Sequence, residues 1–459
     1  MEKIKVSEIF RLFNNKENKN IGGNATGVSI DTRTINKGDV FFALKGENYD
    51  ANDFTDVALS KGAVAVVSEK SNIKYNKLGI PIITVENTLK ALQDFARYYK
   101  NKHDTKIIGI TGSNGKTTTK DILDSIISQK YSVLSTKGNL NNHIGLPLTL
   151  FNLEKSHKYC VLEMGANHQG EITDLCKIAE PSYGVITNIG LSHIGNFSSI
   201  QNILNTKMEL FRYLKKNNYA IINNDDEKIV SASKKINCKK VTFGIKNNAD
   251  VMASCITAEQ NATFFNISVN GKIRKLKLPV CGTFNVYNAL AAAACSSVLN
   301  ISDKDIVAGI EKFKPQKRRM EIVKLKNGII LINDSYNANP TSMKNAIDNF
   351  SKIFYNNRKI LVLGDMCELG NYSISEHRKL GAYIFENKSA DIIYATGNLS
   401  KNIIAISGGH WFKDKIKISE YLIKNLKKGD AVFFKASRKI GLDEVVEKIV
   451  RWCDSGIVR

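Results

Sequence analysis

The sequence predicts an α/β protein of three domains: a central P-loop ATPase-type open sheet, an N-terminal α/β unit before it, and a C-terminal Rossmann-like unit after it. Three observations carry this. The chain has 459 residues, more than a single hydrophobic core organises. Short β-branched runs alternate with segments of helical period, the pattern of sheets joined by crossover helices. One stretch, Lys106 to Lys120, reads as strand, glycine turn and helix without a break. The element pattern divides the chain at 1–102, 103–314 and 315–459.

In the first region Val40–Leu44 and Ala63–Val67 are strand-like, and Thr88–Tyr99 places Leu89, Leu92, Phe95 and Ala96 on one helical face. Ser29–Arg33 and Lys45-Gly46 lie between strands. Arg33 can clamp a phosphate with two parallel hydrogen bonds, and Lys45 beside a glycine can approach a diphosphate. Charged surface turns account for the same residues equally well.

The central region opens on its most informative stretch. Ile107, Ile108 and Ile110 end a buried strand. Gly112, Ser113, Asn114 and Gly115 break it. Ile122, Leu123, Ile126 and Ile127 then recur at helical spacing. Backbone N–H groups at such a turn and the positive end of the helix dipole converge on one spot, which suits an anion. Lys116 would reach the β- and γ-phosphates and the Thr117 hydroxyl would hold Mg²⁺. The strict spacing asks for a glycine where Ile110 stands. An ordinary turn before a core helix is the alternative, and Gly-Lys-Thr directly after the strand argues against it.

Thr136–Pro147 is a Gly/Asn-rich loop, too long and polar for a tight turn. Tyr159–Leu162 is a short buried strand with Glu163 at its carboxyl end, where open α/β sheets place ligands and where a carboxylate can coordinate Mg²⁺. Tyr183–His193 is another strand running into a polar loop. A lone histidine is usually structural, but His193 also follows a strand end. Asn205–Phe211 opens a helix with Leu204, Met208 and Phe211 on its apolar side, on which Lys207 reads as solvated. Residues 240–279 alternate as a strand pair decorating the domain. Gly282–Ala294 is a glycine turn and an alanine-rich helix, whose Asn285 and Asn288 either read a base edge or, for Asn285, cap the helix.

In the last region Lys359–Asp365, Asp391–Ala395 and Ala431–Phe434 are strands of a small open sheet. The loops Asn333–Ser342 and Lys435–Arg438 follow apolar strands and are rich in groups that bind polar ligands.

Hydrophobic residues are 43% and charged residues 24%, ordinary for a soluble globular protein. The N-terminus lacks a signal peptide's apolar core and no run reaches a membrane span, so a cytoplasmic protein with no integral membrane association is expected. The eight cysteines form no CxxC pair or zinc spacing and read as buried free thiols. The net charge of +22, from 66 basic and 44 acidic residues, is spread along the chain with no dense basic block beside aromatic residues. A lysine-rich solvated surface is favoured over nucleic-acid binding.

Taken together, Thr111-Gly-Ser-Asn-Gly-Lys-Thr117, Glu163-Met-Gly165, Asn188 to His193, Asn285-x-x-Asn288 and Asp334-Ser-Tyr-Asn337 occur in the order seen in Mur ligases. The chain resembles that family over essentially its whole length. Its members are ATP-dependent enzymes that form the amide bonds of peptidoglycan precursors. Asn333–Met343 and Leu363–Gly370 resemble the branch that adds D-alanyl-D-alanine to UDP-N-acetylmuramoyl-tripeptide (UDP-MurNAc-tripeptide), and those two compounds are the partners the resemblance implies, with a monomer and no nucleic acid.

The resemblance also implies roles. Thr111, Gly112, Ser113, Asn114, Gly115, Lys116, Thr117 and Thr118 would bind ATP phosphates. Asn285, Asn288, Arg319 and Asp334 match the adenine and ribose positions. Thr117 and Glu163 would hold a first Mg²⁺, and His193 and Lys207 a second. Lys207 matches the lysine that the family carbamylates, since an ammonium repels a metal and a carbamate offers it oxygens. Lys116, His193 and Lys207 are the expected catalytic set. Ser29, Arg33, Lys45 and Gly46 fall where the UDP end binds. Asn139, Asn142, Asn337, Asn339, Lys435, Ser437 and Arg438 would face the peptide substrates. The C-terminal domain is expected to close over the central one, carrying Asp334 and Asn337 inward. Four departures touch nucleotide and sugar contacts: Phe284 for a common His, Arg318 for a common Gly, Asp50-Ala-Asn-Asp-Phe54 for Asp-Gly-His, and Ala436 for Gly. None removes a metal ligand or Lys116. The rival readings are a folylpolyglutamate-type ligase, a P-loop nucleic-acid-stimulated ATPase and an inactive scaffold.

Overall fold

The computed structural model describes residues 1–14, 22–70 and 81–454. They form two compact units. The first holds Met1–Gly109, Tyr131–Ala166 and Gly170–Tyr183; the second holds Ile110–Lys130, Asn167–Gln169 and the chain from Gly184 onward.

In the first unit β1 (Ile4–Lys5) and β2 (Asn24–Ala25) pair antiparallel. β3 (Gly27–Ser29), β4 (Asp39–Phe42), β5 (Ala65–Ser68) and β6 (Ile82–Thr84) follow one another in a parallel sheet. Every residue of β4 and β5 is buried, which is why both read as continuous rather than alternating apolar runs. The helix Thr88–Lys100 begins on Asn87, whose Oδ1 accepts from Lys90 N at 2.8 Å. It buries Ala91, Leu92, Phe95, Ala96 and Tyr99. Leu89, expected on that face, is only half-buried, since the buried stripe is centred on Thr88, Ala91, Leu92, Phe95, Ala96 and Tyr99. Phe95 packs on Phe42 and Phe151, with ring centroids 5.9 and 5.0 Å away. β7 (Lys106–Thr111) carries the chain into the second unit, and in the first it lies beside β9 (Tyr159–Glu163), which pairs parallel with β8 (Val133–Ser135).

The second unit has two sheets. One runs in the order β10 (Tyr183–Ile186), β11 (Tyr219–Asn223), β12 (Lys239–Gly244), β13 (Val251–Ala258), β14 (Thr263–Val269) and β15 (Lys272–Leu278). β11 to β13 pair parallel, and β13, β14 and β15 pair antiparallel. The segment 240–279, expected as a decorating strand pair, is therefore a three-strand antiparallel meander that extends the sheet through β12. Its register slips between Ser254 and Thr257, where Cys255 takes φ +53°.

The other sheet holds β16 (Glu321–Lys324), β17 (Ile330–Asn333), β18 (Arg358–Gly364), β19 (Ile392–Thr396), β20 (His410–Phe412) and β21 (Asp430–Lys435) in the order β16-β17-β21-β18-β19-β20, antiparallel only at β16–β17. Asn333 is level with Phe434, and Leu363 with Lys435. The loops after Asn333, Gly364 and Lys435 thus leave one edge of the sheet together, the carboxyl edge at which parallel sheets gather ligand-binding loops.

Candidate nucleotide-binding site

β7 is buried from Ile107 to Thr111. Gly112 and Gly115 then take φ +144° and +81°. A Cβ on Gly112 would lie 1.9 Å from Thr187 Oγ1, and one on Gly115 would lie 2.1 Å from Asn288 Oδ1, so both positions require glycine. The loop between them is tied to the segment after β10. Ser113 N donates to Asn188 O at 2.9 Å, and Ser113 Oγ bonds both the carbonyl and the N–H of Gly190 at 2.9 and 2.8 Å. Asn114 N donates to Asn188 Oδ1 at 3.1 Å, and its carbonyl accepts from Thr187 Oγ1 and Asn188 Nδ2 at 2.6 and 3.0 Å. The helix Lys116–Ile127 starts on Gly115, which gives it no side-chain cap, and the N-terminus of such a helix suits an anion. Lys116 Nζ folds back onto Gly112 O at 3.0 Å, and Thr118 is half-buried on the same turn.

Residues distant in sequence close on this loop. Arg319 Nη2 donates to Thr117 Oγ1 at 3.0 Å, and Asn339 Nδ2 donates to Asn114 Oδ1 at 2.7 Å. Behind Gly115, Asn288 Nδ2 donates to Asn285 Oδ1 at 3.0 Å, Thr119 Oγ1 donates to Asn288 Oδ1 at 3.4 Å, and Asn285 Nδ2 donates to Cys281 O at 2.8 Å. Both asparagines are buried, and the helix Thr283–Ser297 is capped by Gly282 rather than by Asn285.

Asp334 ends the strand edge with two partners: Oδ1 accepts from Met320 N at 3.2 Å, and Oδ2 meets Lys435 Nζ at 2.6 Å. Lys435 also donates to Asn337 O at 2.9 Å. The Arg319 and Arg438 guanidinium carbons lie 4.1 and 5.4 Å from the centre of the Tyr336 ring. Asn337 and Arg438 are exposed. Asn339 and Ser437 are buried and carry structural bonds: Asn339 forms a capping box on the helix Pro340–Ile353, and Ser437 Oγ accepts from Cys367 N at 2.8 Å.

Among the expected metal residues, Glu163 is buried at the end of β9, and its Oε1 accepts from Asn141 Nδ2 at 2.8 Å. Asn141 is a residue that the sequence motifs do not mark. Its neighbours Asn139 and Asn142, which they do mark, sit apart from Glu163's bond: Asn139 is exposed, and Asn142 accepts from Ile144 N and Gly145 N at 3.1 and 2.8 Å, opening the helix Gly145–Leu150. Lys207 is not solvated as its helix position was read. It is 1% exposed, with Nζ 5.7 Å from the Phe197 ring centre. His193 takes φ +53°, and its Nδ1 lies 2.7 Å from Glu368 Oε2, in direct contact but off the N–H line of a well-aligned hydrogen bond. That contact holds the Glu368 carboxyl below its usual range, against the opposing effect of burial. Among the described residues no three His, Cys, Asp or Glu side chains cluster as metal ligands.

In the first unit Ser29 is buried and its Oγ donates to Asp31 O at 2.9 Å. Arg33 is exposed and grips Asp31 through Nε and Nη2, at 3.0 and 2.7 Å, lowering the Asp31 carboxyl to about 2, the side-chain hydrogen bond being the largest cause. The backbones of Lys45 and Asp50 form an isolated antiparallel β-bridge, and Gly46 N donates to Tyr49 O at 2.9 Å, closing a short turn. The cysteines are free thiols, most of them buried, as the sequence indicated. No described helix is long and apolar enough to cross a membrane.

A glycine loop at the carboxyl end of a buried strand, opening a helix with Lys and Thr in its first turn, defines a P-loop nucleotide-binding α/β protein. Comparison with known proteins sharpens the class. The Mur ligase family catalytic domain matches residues 24–100, the Mur ligase middle domain 110–296, and the Mur ligase glutamate ligase domain 318–438. The chain belongs to the Mur ligase family and has its three-domain architecture. It is 36% identical to the UDP-N-acetylmuramoyl-tripeptide–D-alanyl-D-alanine ligase of Bacillus subtilis, over 92% of this chain and 93% of that one. It is 39% identical to the ligase of the same name from Buchnera aphidicola subsp. Baizongia pistaciae, over 92% of each. Among solved structures, MurF from Acinetobacter baumannii superposes with a TM-score of 0.90 at 31% identity, covering 98% of this chain and 99% of that one. MurF from Thermotoga maritima in complex with ADP gives 0.85 at 30% identity, covering 94% and 98%.

Proposed function

We propose that this protein is an ATP-dependent amide ligase that joins D-alanyl-D-alanine to UDP-MurNAc-tripeptide, yielding the UDP-linked pentapeptide, ADP and phosphate for peptidoglycan synthesis. The observation that carries the reading is 36% identity across 92% of the chain to an enzyme of that name. The Thermotoga relative's complex with ADP supports the use of ATP. In this reading residues 1–102 take the UDP end through Ser29, Arg33, Lys45 and Gly46. Residues 103–314 take ATP on the loop Thr111–Thr118. Residues 315–459 bring Arg319 and Asp334 to the nucleotide and Asn337, Lys435 and Arg438 to the peptide substrates. A cytoplasmic monomer that needs no nucleic acid completes the proposal.

The chemistry follows from what a carboxylate lacks. Its carbonyl is a poor electrophile and its oxygen a poor leaving group. Attack of the tripeptide's terminal carboxylate oxygen on the γ-phosphorus of ATP, with departure of ADP, turns that oxygen into part of a good leaving group. The amine of D-alanyl-D-alanine then attacks the acyl carbon, phosphate leaves, and the amine gives up a proton. Such catalysis is mostly positioning and charge neutralisation. The P-loop N–H groups hold the phosphates, and Lys116 exchanges its bond to Gly112 O for the β- and γ-phosphates. The acyl phosphate hydrolyses if water reaches it, so the loops after β17 and β21 have a water-excluding role as well as a binding one.

Thr117 and Glu163 offer the oxygen donors that Mg²⁺ prefers, His193 offers a ring nitrogen, and buried Lys207 fits a cation only as a carbamate. Mg²⁺ held beside the P-loop would neutralise the phosphate charge that the incoming carboxylate must approach. The test is phosphate release with ATP and UDP-MurNAc-tripeptide, adding D-alanyl-D-alanine or single amino acids in turn. Release and pentapeptide formation are expected only with the dipeptide. Absence of pentapeptide from purified, folded protein refutes the reading.

A further inference from the structure

The segment Leu363–Gly370 stands out in the sequence, yet none of its residues has a role in the reaction as derived above. Its loop makes one concentrated contact. Gly195 N donates to Glu368 O at 3.0 Å, and a Cβ on Gly195 would lie 2.6 Å from Gly370 N, so the two backbones meet with no room for a side chain. Tyr372 Oη donates to Ser198 O at 3.2 Å beside it. At the centre, Glu368 Oε2 touches His193 Nδ1 at 2.7 Å.

Three non-glycine residues of this contact, His193, Ser198 and Glu368, have φ of +53°, +62° and +65°. Backbone strain of this kind persists where surrounding structure enforces it, and it concentrates at functional contacts. The loop is held from behind as well. Met366 N donates to His377 Nε2 at 3.0 Å, and Cys367 N donates to Ser437 Oγ at 2.8 Å. On the other side, the segment Asn188–Gly190 leading to His193 bonds the P-loop at Ser113 and Asn114. The chain of contacts runs from the C-terminal sheet, through Glu368 and His193, to the phosphate loop.

We infer that Glu368 is a positioning residue for His193. With Nδ1 against the carboxylate, the imidazole is held in one orientation and Nε2 is the only ring nitrogen left for the site. A carboxylate behind a histidine holds the ring in place and fixes its tautomer. Because Glu368 belongs to the C-terminal region, His193 is correctly set only when that region is docked on the P-loop region. The inference rests on the reading of His193 as a site residue.

The experiment compares wild type, Glu368→Ala, Glu368→Gln and His193→Gln. One readout is the downfield imidazole N–H resonance in protein labelled with ¹⁵N-histidine. The other is kcat and KM for pentapeptide synthesis. The expected result is a resonance in wild type that His193→Gln and Glu368→Ala both remove. In Glu368→Ala, kcat falls about 10–100-fold while KM for UDP-MurNAc-tripeptide stays within about twofold. Glu368→Gln keeps an acceptor oxygen in the same shape, and should keep the resonance and recover part of kcat. Two results overturn the inference while product still forms: Glu368→Ala with the resonance intact and kcat within about twofold of wild type, or Glu368→Gln as impaired in both readouts as Glu368→Ala. A wild type that forms no pentapeptide instead overturns the ligase reading on which the inference stands.

Discussion

Lys435 and Asp334 offer a test in which structure and function separate. Their side chains are 4% and 13% exposed, and they meet at 2.6 Å. Lys435→Met leaves the Asp334 carboxylate with the 3.2 Å bond from Met320 N and strips Asn337 O of its donor. Breaking a buried pair from one side costs about 3–5 kcal/mol. A change of 1 kcal/mol moves the melting temperature of a domain of 150–250 residues by about 2–4 °C. The second unit is larger, so the low end applies and Lys435→Met should melt roughly 6–10 °C below wild type. Asp334→Asn keeps an acceptor for the ammonium and should cost less, about 1–3 kcal/mol. The double variant Asp334→Asn/Lys435→Met buries no unpaired charge. It should be more stable than Lys435→Met alone, with a coupling of about 2 kcal/mol. Calorimetric melting of the four proteins gives the cycle, and pentapeptide synthesis is measured on each. Activity should fall at least about tenfold in all three variants, including the restabilised double, if both side chains serve ligands. A Lys435→Met protein that melts within about 2 °C of wild type, or effects that simply add, would refute the buried-pair argument. A double variant with wild-type activity would refute the ligand roles.

Three further outcomes are expected. Lys207→Ala should lose most pentapeptide synthesis and regain part of it with added short carboxylates, since these can occupy the space of a carbamate; full activity without them would end the ligand assignment. At position 318, where the backbone has φ +64° and the side chain pairs with Asp443 at 2.8 Å, Arg318→Gly should melt higher than Arg318→Ala. Both lose a half-exposed ion pair worth about 0–1 kcal/mol, but only glycine relieves a left-handed strain of about 1–2 kcal/mol. The reverse order in thermal melts would contradict this. Burial alone would raise the Glu180 carboxyl, but hydrogen bonds from Lys100 and Arg97 outweigh it and hold the group below the usual glutamate range. Its folded value is depressed, so the stability it contributes is complete above pH about 4.5 and is lost as pH falls through the depressed value. Melting temperature should therefore drop on acidification below that point, and Lys100→Met should shrink the drop; an unchanged slope counts against the pairing.

Local pattern made the P-loop legible, because strand, glycine and helix each have their own spacing and the glycines stand where φ is positive. The C-terminal loops were legible too, since each follows an apolar strand and parallel register brings their ends to one edge. For Lys207 the pattern of the helix itself carries the signal for burial. Leu204, Lys207, Met208 and Phe211 are spaced i, i+3, i+4 and i+7, which puts the lysine on the apolar face, where it is buried. Arg318 departs from a common glycine, and its left-handed backbone supplies the reason glycine suits the position. No local signal marks Arg319 on Thr117 or Asn339 on Asn114. Those contacts span 202 and 225 residues and exist only once the sheets have formed. Nor does sequence separate Asn141 from its neighbouring asparagines, since which one reaches Glu163 depends on the path of the loop.

The cations expected to hold substrate anions are already engaged. Lys116 lies on Gly112 O, Arg319 on Thr117 Oγ1, Arg33 on Asp31 and Lys435 on Asp334. A phosphate or carboxylate that arrives must replace an internal acceptor, so each contact contributes only the difference between the two bonds. That difference is largest where the internal partner is a neutral carbonyl or hydroxyl, at Lys116 and Arg319, because a phosphate oxygen makes the stronger, charge-assisted bond. It is smallest at Arg33 and Lys435, whose present partners are carboxylates. If these cations do hold the substrates, the gain in affinity on binding would concentrate at the phosphates of ATP, where the bond to be broken lies, while the carboxylate-held cations would keep the substrate ends in register for little net affinity.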